Sequence, residues 1–514
     1  MATNEPLIQD PVSGLADLVN RSFQLIPGKE IVVRYIASSY QNDPVRSLLE
    51  LILFIFAVRT ILQNRTRSSR NFVNLSNSDI DYLVKEFEPE PLCTPLSPEE
   101  QDDLDGAPQI VGHASSHPMV KAPWMSGTVP RRVKNLASFN FTGMLEASEL
   151  TVQAKQILRE YGVGSCSPPG FYGTSDMHIK LEETIASFLR KEACIVYSQG
   201  FSTISSVIPA FCKRGDVIVV DSGVNFSIQK GLQLSRSRLY WYDHHDMSSL
   251  EAVLAHLNRE QARSRKPLTR RFIVTEALFE SDGSMANLPR IVELKKKYKF
   301  RMILDESYSV GTVGPTGRGL PELQHVNPDD VDIVVGNLAA SFATAGGFCA
   351  STKEIVKHQR INGLSFVFSA AMPVMMANGS TVAIQKLMTH PDILAQLRDN
   401  TEKAYHVLSQ ISSITIPSTP GSPLIHVQIR PKAQSEPMSA AGQRRLLRQI
   451  MRQALNQDVM VSLGPRLRSI RPELDEGTWA NPSLRIAVTS ALSPAEMAQA
   501  IDVVRASIVS VLGT

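Results

Sequence analysis

The stretch Arg301-Met302-Ile303-Leu304-Asp305-Glu306-Ser307-Tyr308-Ser309-Val310-Gly311 joins a short apolar run to an acidic turn. Such a run is too short for an ordinary helix and suits a buried strand, so Asp305 stands where the strand ends. Downstream comes a glycine-rich turn, Gly314-Pro315-Thr316-Gly317-Arg318-Gly319. Runs of the same apolar kind recur at Ala193–Tyr197, Val217–Val220, Arg271–Val274 and Val331–Val335, with helical stretches between them. This alternation predicts an α/β fold with a mainly parallel sheet and crossover helices. After about residue 370, helices alternate with strands at Leu424–Gln428 and Leu484–Val488. The expected layout is a large domain over 136–370 and a smaller C-terminal α+β domain over 371–514.

The acidic turn alone leaves several readings open. A hydrophobic strand ending in Asp-Glu is also the Walker B pattern, but the G-x-x-x-x-G-K-[ST] partner it requires is absent. A plain structural acid at a strand end is a further reading. Composition narrows the classes without choosing among them. The 514 residues are 43% hydrophobic and 20% charged, as in ordinary globular proteins. A net charge of +3 gives no basic surplus for nucleic acid. The run Lys295-Lys296-Lys297 reads as a solvated helix end. Five scattered cysteines, an odd number without CxxC pairing, argue against a disulfide framework or a metal site and for a reducing compartment.

The N-terminal part has a different character. No secretory leader is expected, since polar Asn4, Glu5 and Asp10 come first and no short apolar core precedes a cleavage site. Leu15–Phe23 has helical apolar spacing suited to a membrane surface, a partner or the protein body. Val45–Leu62 reads VRSLLELILFIFAVRTIL; as a helix it would rise about 27 Å, enough to span a hydrocarbon core. Glu50 and Arg59 lie towards its ends, and Arg65, Arg67 and Arg70 follow, which predicts a membrane helix with the downstream chain on the cytosolic side. Residues 1–87 are therefore expected to form an amphipathic and membrane-anchor region. The prolines from Pro89 to Pro130 suggest an extended linker over 88–135.

Several motifs in order carry a family resemblance. They are Tyr161-Gly162-Val163-Gly164-Ser165-Cys166, Gly170-Phe171-Tyr172-Gly173-Thr174, His178 with Leu181-Glu182, and Tyr197-Ser198-Gln199-Gly200-Phe201. Thr275-Glu276, Asp282-Gly283 and Leu288-Pro289 follow, then the Asp305 turn and Gly336-Asn337-Leu338-Ala339-Ala340-Ser341-Phe342 with Gly346-Gly347-Phe348. Phe368-Ser369 and Leu484-Arg485-Ile486 are weaker markers. Over roughly 135–510 the chain resembles the α-oxoamine synthases, enzymes of the PLP-dependent transferase fold. Within them it is most similar to the long-chain-base subunits of the serine palmitoyltransferase branch.

The resemblance implies a carboxylate at Asp305 that pairs with the PLP ring nitrogen, and a lysine in G-T-x-x-K-S-x-G that anchors the cofactor as a Schiff base. Here Ala340 falls on that lysine, and no lysine occurs between Lys299 and Lys353. The family's D-x-x-x-H-A-S run becomes Asp221-Ser222-Gly223-Val224-Asn225-Phe226-Ser227, so Asn225 replaces the ring-stacking histidine. The family's D-E-A-H becomes Asp305-Glu306-Ser307-Tyr308, and phosphate-holding positions around Asn337 and Ala343 are altered. Asn225, Asp305 and Tyr308 are thus expected to form a degenerate cofactor pocket.

The expected protein is a non-catalytic subunit that pairs with a lysine-bearing homologue, in a heterodimer or higher assembly. The homologue would bind the PLP, and the pair would condense L-serine with palmitoyl-CoA to 3-oxosphinganine at the endoplasmic reticulum membrane. Ser165, Cys166 and Tyr172 would line the partner's site, although a buried inert cysteine is the ordinary reading of Cys166. A regulatory scaffold without an active-site role and a self-sufficient PLP acyltransferase are the alternatives.

Overall fold

The computed structural model describes residues 28–69, 75–93, 95–125, 129–264, 267, 269–431, 438–465 and 481–513. The amphipathic segment expected at Leu15–Phe23 lies outside the described residues, as do Arg70 and the side chains of Arg65 and Arg67. The chain divides into two compact units, Met1–Leu96 and Ser97–Thr514.

The first unit contains helices at Lys29–Asn42, Pro44–Ser69 and Asn77–Glu86. Ser76 opens the third with a reciprocal capping box to Asp79, which satisfies two backbone donors at the helix start. The helix expected over Val45–Leu62 is present and longer than its apolar run. Its large side chains are exposed over consecutive positions, Leu51, Ile52, Leu53, Phe54, Ile55 and Phe56 among them. Among the described residues no helix is long and apolar enough to cross a membrane.

The second unit begins earlier than the prolines suggest. Pro98 occupies the first turn of a helix, Pro98–Asp105, which Ser97 and Glu100 cap reciprocally; a proline is tolerated there because the N–H it lacks would have no helical partner. Strands β1 (Gln109–Val111), β2 (Met119–Lys121) and β3 (Arg131–Arg132) form a small antiparallel sheet, and β4 (Lys134–Asn135) pairs with β14 (Val459–Met460). Val120, Ala122, Met125 and Val133 are buried against Leu455 and Met460. Asp103 binds Arg444 and Arg448, and Arg452 stacks on Trp124. The stretch expected to be a linker over 88–135 is therefore folded over 98–125 and again over 129–135, because its apolar residues pack against Leu455 of the helix Ala440–Asn456 and Met460 of β14.

The large sheet has seven strands in the order β5-β11-β10-β9-β8-β6-β7: β5 Ala193–Tyr197, β6 Val217–Asp221, β7 Arg238–Tyr242, β8 Arg271–Glu276, β9 Arg301–Asp305, β10 Ile333–Asn337 and β11 Gly347–Ser351. β11 alone runs opposite to the rest. β6, β8 and β9 are almost wholly buried, which is why they read as unbroken apolar runs. The C-terminal sheet is antiparallel, in the order β12 (Ile414–Thr415), β13 (Leu424–Ile429), β16 (Leu484–Ala487) and β15 (Ser462–Leu463).

One continuous core, from Leu136 to Ile508, runs through both parts. The helix Val374–Thr389, expected in the small domain, packs instead on Ser148–Tyr161 and Asp176–Phe188. The physical junction thus falls beyond residue 371.

Candidate cofactor cleft

Parallel α/β sheets present ligand sites at the carboxyl ends of their strands. Here those ends carry Asp221, Glu276, Asp305 and Asn337. The register sets Glu276 directly beside Asp305 on neighbouring strands. Burial drives both carboxyl groups upward in pKa, and the Asp305 charge adds to the rise at Glu276, which is held well above the usual carboxylate range; hydrogen bonds from Ser307 and Asn225 counter the rise at Asp305. Glu280 lies close by; burial raises it, and the guanidinium of Arg485 at 3.8 Å counters the rise.

Asn225 fills the space between these acids. Its backbone N–H donates to Glu276 Oε1 at 2.6 Å, and its Nδ2 donates to Asp305 Oδ2 at 3.3 Å. Its Oδ1 accepts from the Ile228 N–H at 3.0 Å and from Ser227 Oγ at 2.6 Å, capping the helix Phe226–Ser235. The other oxygen of Asp305 accepts from the Ser307 N–H at 2.9 Å. Both oxygens of the carboxylate therefore have donors from the chain itself. Tyr308 is tilted against Phe139 at 5.1 Å, and Arg485 covers the same phenylalanine at 4.7 Å. Burial lifts the Tyr308 phenol well above its ordinary pKa, and Glu280 adds to the rise.

Ala340 is buried in the short helix Ala339–Phe342. Its carbonyl accepts from the Phe141 N–H at 3.4 Å; Thr142 donates to the Ser341 carbonyl, and Ser341 Oγ donates to the Val310 carbonyl at 2.9 Å. Gly311, at φ +84°, lets Ser341 approach, since a Cβ there would lie 2.5 Å from the Ser341 Cβ. The structure thus brings Asn225 onto the acid pair Glu276 and Asp305, with Tyr308 beside Glu280 and the same acids.

Ser165, Cys166 and Tyr172 sit apart in a surface loop. No described hydrogen bond or ring contact joins them to the Asn225–Asp305 group. The loop is tied down by the Ser167 carbonyl, which accepts from the Ala371 N–H at 2.9 Å, and by a wide turn at Pro169–Gly173. Cys166 is exposed at φ +52°, which corrects its reading as a buried inert thiol. Tyr172 is 89% exposed, and Val163, Phe171, Leu364 and Phe368 are exposed as well. Sequence reasoning missed Glu276 and Glu280 as partners of Asp305. Thr275-Glu276 was legible as a motif, but its side-by-side register with Asp305 depends on strand order.

The aminotransferase class I and II family model matches residues 131–504. Serine palmitoyltransferase 1 of Dictyostelium discoideum is 35% identical over 87% of this chain and 90% of its own. This chain belongs to the serine palmitoyltransferase 1 family. The same family includes serine palmitoyltransferase 1 of Saccharomyces cerevisiae, 33% identical over 94% of this chain and 92% of its own, and the long chain base biosynthesis protein 1 of Arabidopsis thaliana, 37% identical over 81% and 82%. The fold is that of the solved Sphingomonas wittichii serine palmitoyltransferase, at a TM-score of 0.67 and 23% identity over 85% of this chain and 98% of that one. It is also that of a structure of SPT with PLP, at a TM-score of 0.68 and 21% identity over 86% and 100%. The PLP-dependent aminotransferase-like fold, with a mixed and mostly parallel sheet, accordingly stands for this family member.

Proposed function

We infer that this chain is the non-catalytic subunit of a serine palmitoyltransferase, the acyltransferase that condenses L-serine with palmitoyl-CoA to 3-oxosphinganine. The observation that carries this reading is the cleft at Asp305. PLP there would require a lysine amine for its aldehyde carbon, an aromatic face on its ring and a free carboxylate for its ring nitrogen. The residues do not fit that group. A buried methyl group stands at Ala340, an amide at Asn225, and both oxygens of Asp305 already accept hydrogen bonds from Asn225 and Ser307. A methyl group has no lone pair with which to form the covalent bond.

The working site would therefore belong to a homologous subunit that carries the lysine and the PLP. The exposed loop with Ser165, Cys166 and Tyr172 is the part of this chain suited to meet it. Tyr172 and Phe171 expose most of their side chains, and large aromatic side chains of this kind are among those that anchor interfaces. Apolar exposure over Val45–Leu62 supports attachment to a membrane, which this reading places at the endoplasmic reticulum with the second unit in the cytosol. Arg46, Glu50 and Arg59 would then lie towards the ends of the apolar run.

Co-expression with a lysine-bearing relative tests the reading. The two chains are expected to co-purify, and turnover of L-serine and palmitoyl-CoA is expected only from the pair. Full turnover by the lysine-bearing chain alone would favour a regulatory scaffold. Turnover by this chain alone would mark a self-sufficient acyltransferase.

A further inference from the structure

A second cluster of ligating side chains lies just past the carboxyl end of β7, in the segment Tyr242-Asp243-His244-His245 and the turn Ser281-Asp282-Gly283-Ser284. His244 Nε2 is 3.1 Å from Asp282 Oδ2. Ser284 Oγ is 3.4 Å from the same nitrogen and 2.6 Å from Asp282 Oδ1, and it also bonds His245 Nε2. One ligating atom from each of His244, His245 and Asp282 can be placed within 4.8 Å of the other two.

The geometry points to a binding site for a divalent transition ion of the zinc class, held by His244 Nε2, a ring nitrogen of His245 and the Asp282 carboxylate, with water or Ser284 in the fourth position. Zinc bonds of about 2.0–2.2 Å to nitrogen and carboxylate oxygen place neighbouring donors roughly 3.4 Å apart in a tetrahedron. The separation between His244 and Asp282 is already close to that edge. Only the His245 ring has to close in.

The surroundings are those of an oriented ligand set. The Nδ1 of His244 bonds Asp221 Oδ1 at 2.6 Å, which leaves Nε2 directed towards Asp282. A carboxylate on the far nitrogen is the usual outer partner of a ligating histidine; it fixes the tautomer and raises the basicity of the other nitrogen. Asp221 also accepts from the Gly223 N–H at 2.7 Å and the His245 N–H at 3.3 Å, so it anchors both histidines. Gly223 admits the ring, since a Cβ there would lie 2.4 Å from His244 Nδ1. The ring of Phe279 stands edge-on to both histidines, at 4.6 and 5.1 Å. His245 is held at φ +61°, a left-handed conformation that histidine adopts more readily than most residues other than glycine.

All three ligating residues are partly exposed, so an ion can enter. Any proton that His244 Nε2 carries is released to solvent when the ion binds. The ion would tie the segment after β7 to the turn whose Asp282 carbonyl accepts from Ser418 Oγ at 2.6 Å, and so to the C-terminal sheet. This inference is independent of the cofactor reading.

The test uses the full-length chain, stripped with a chelator and with its thiols alkylated so that Cys93 and Cys166 do not take up metal. Titration with Zn2+ is expected to show one ion per chain and a raised unfolding midpoint. Co2+ is expected to give the visible bands of a nitrogen- and oxygen-ligated ion. His245→Asn suits the left-handed backbone and is expected to fold, yet to weaken binding by more than about tenfold; Asp221→Asn is expected to weaken it by about 10–100-fold through the outer partner. No stoichiometric uptake, or equal affinity in the wild-type chain and His245→Asn, would overturn the site. The cluster would then be an imidazolium clasp between Asp221 and Asp282.

Discussion

Tyr172→Ala in the assembled enzyme is expected to lower turnover at least tenfold while leaving the unfolding midpoint of this chain unchanged. The side chain is 89% exposed, and the residue's described bond is from its backbone N–H to Ser167 Oγ at 3.2 Å. Truncation removes almost nothing from the chain's own packing. At an interface, an aromatic anchor of this kind is worth about 2 kcal/mol or more, which is about 30-fold in an equilibrium constant. The exposed neighbours Phe171 and Phe368 would share that surface. The discriminating readout is the split between stability and turnover. Full turnover with an intact complex would show that the loop has no place at the partner's site.

The second large effect is one of pH. His426 is fully buried on β13, with its Nδ1 bonded to Ser483 Oγ at 2.9 Å. Burial, with Arg485 nearby, lowers its pKa to about 4. The unfolded chain takes up the proton near 6.5, before the folded chain does, so stability is complete above 6.5 and falls as the pH drops towards 4. At pH 5 the loss is about 2 kcal/mol, from 1.5 pKa units at about 1.36 kcal/mol each. Glu306 works in the opposite direction: burial raises it to about 7, so the folded state gains from its protonation as the pH falls from 7. The comparison must therefore be made against His426→Gln. Denaturant titrations at pH 7 and pH 5 are expected to show the wild type losing about 2 kcal/mol more than the variant. Equal losses would contradict the buried neutral imidazole.

The fold was legible where burial imposes a continuous apolar run, and less so elsewhere. Five strands of the large sheet follow from such runs, although the Val331–Val335 run lies two residues before the strand Ile333–Asn337. β7 pairs with β6 at the sheet edge and is half-buried, so it opens on an exposed arginine and carries aromatic residues in place of an unbroken aliphatic run. β11 is built from Gly347, Phe348, Cys349, Ala350 and Ser351; its small side chains carry little strand preference, and its burial comes from neighbours far away in sequence. The proline-rich stretch misled because proline excludes helix interiors but suits a first turn, as at Pro98. The capping pair Ser97 and Glu100 was the local signal that could have revealed that helix.

The site was legible by residue type and not by neighbourhood. Asp305, Asn225, Tyr308 and Ala340 stand out against a motif. The hydrogen bond from Asn225 to Asp305 spans 80 positions and follows from strand order, as does the proximity of Glu276. Gly283 illustrates the same point. Its place in the motif was visible, but the reason emerges only in three dimensions: at φ +75°, a Cβ there would lie 2.0 Å from the Leu424 carbonyl oxygen.

The most direct test of the account is the absorbance of the isolated full-length chain after incubation with PLP, before and after borohydride. With an alanine at position 340 and Asp305 already engaged by Asn225, no imine band is expected, and no coenzyme should remain bound after reduction and denaturation. A borohydride-sensitive band at one equivalent, with coenzyme fixed to a lysine of this chain, would contradict it.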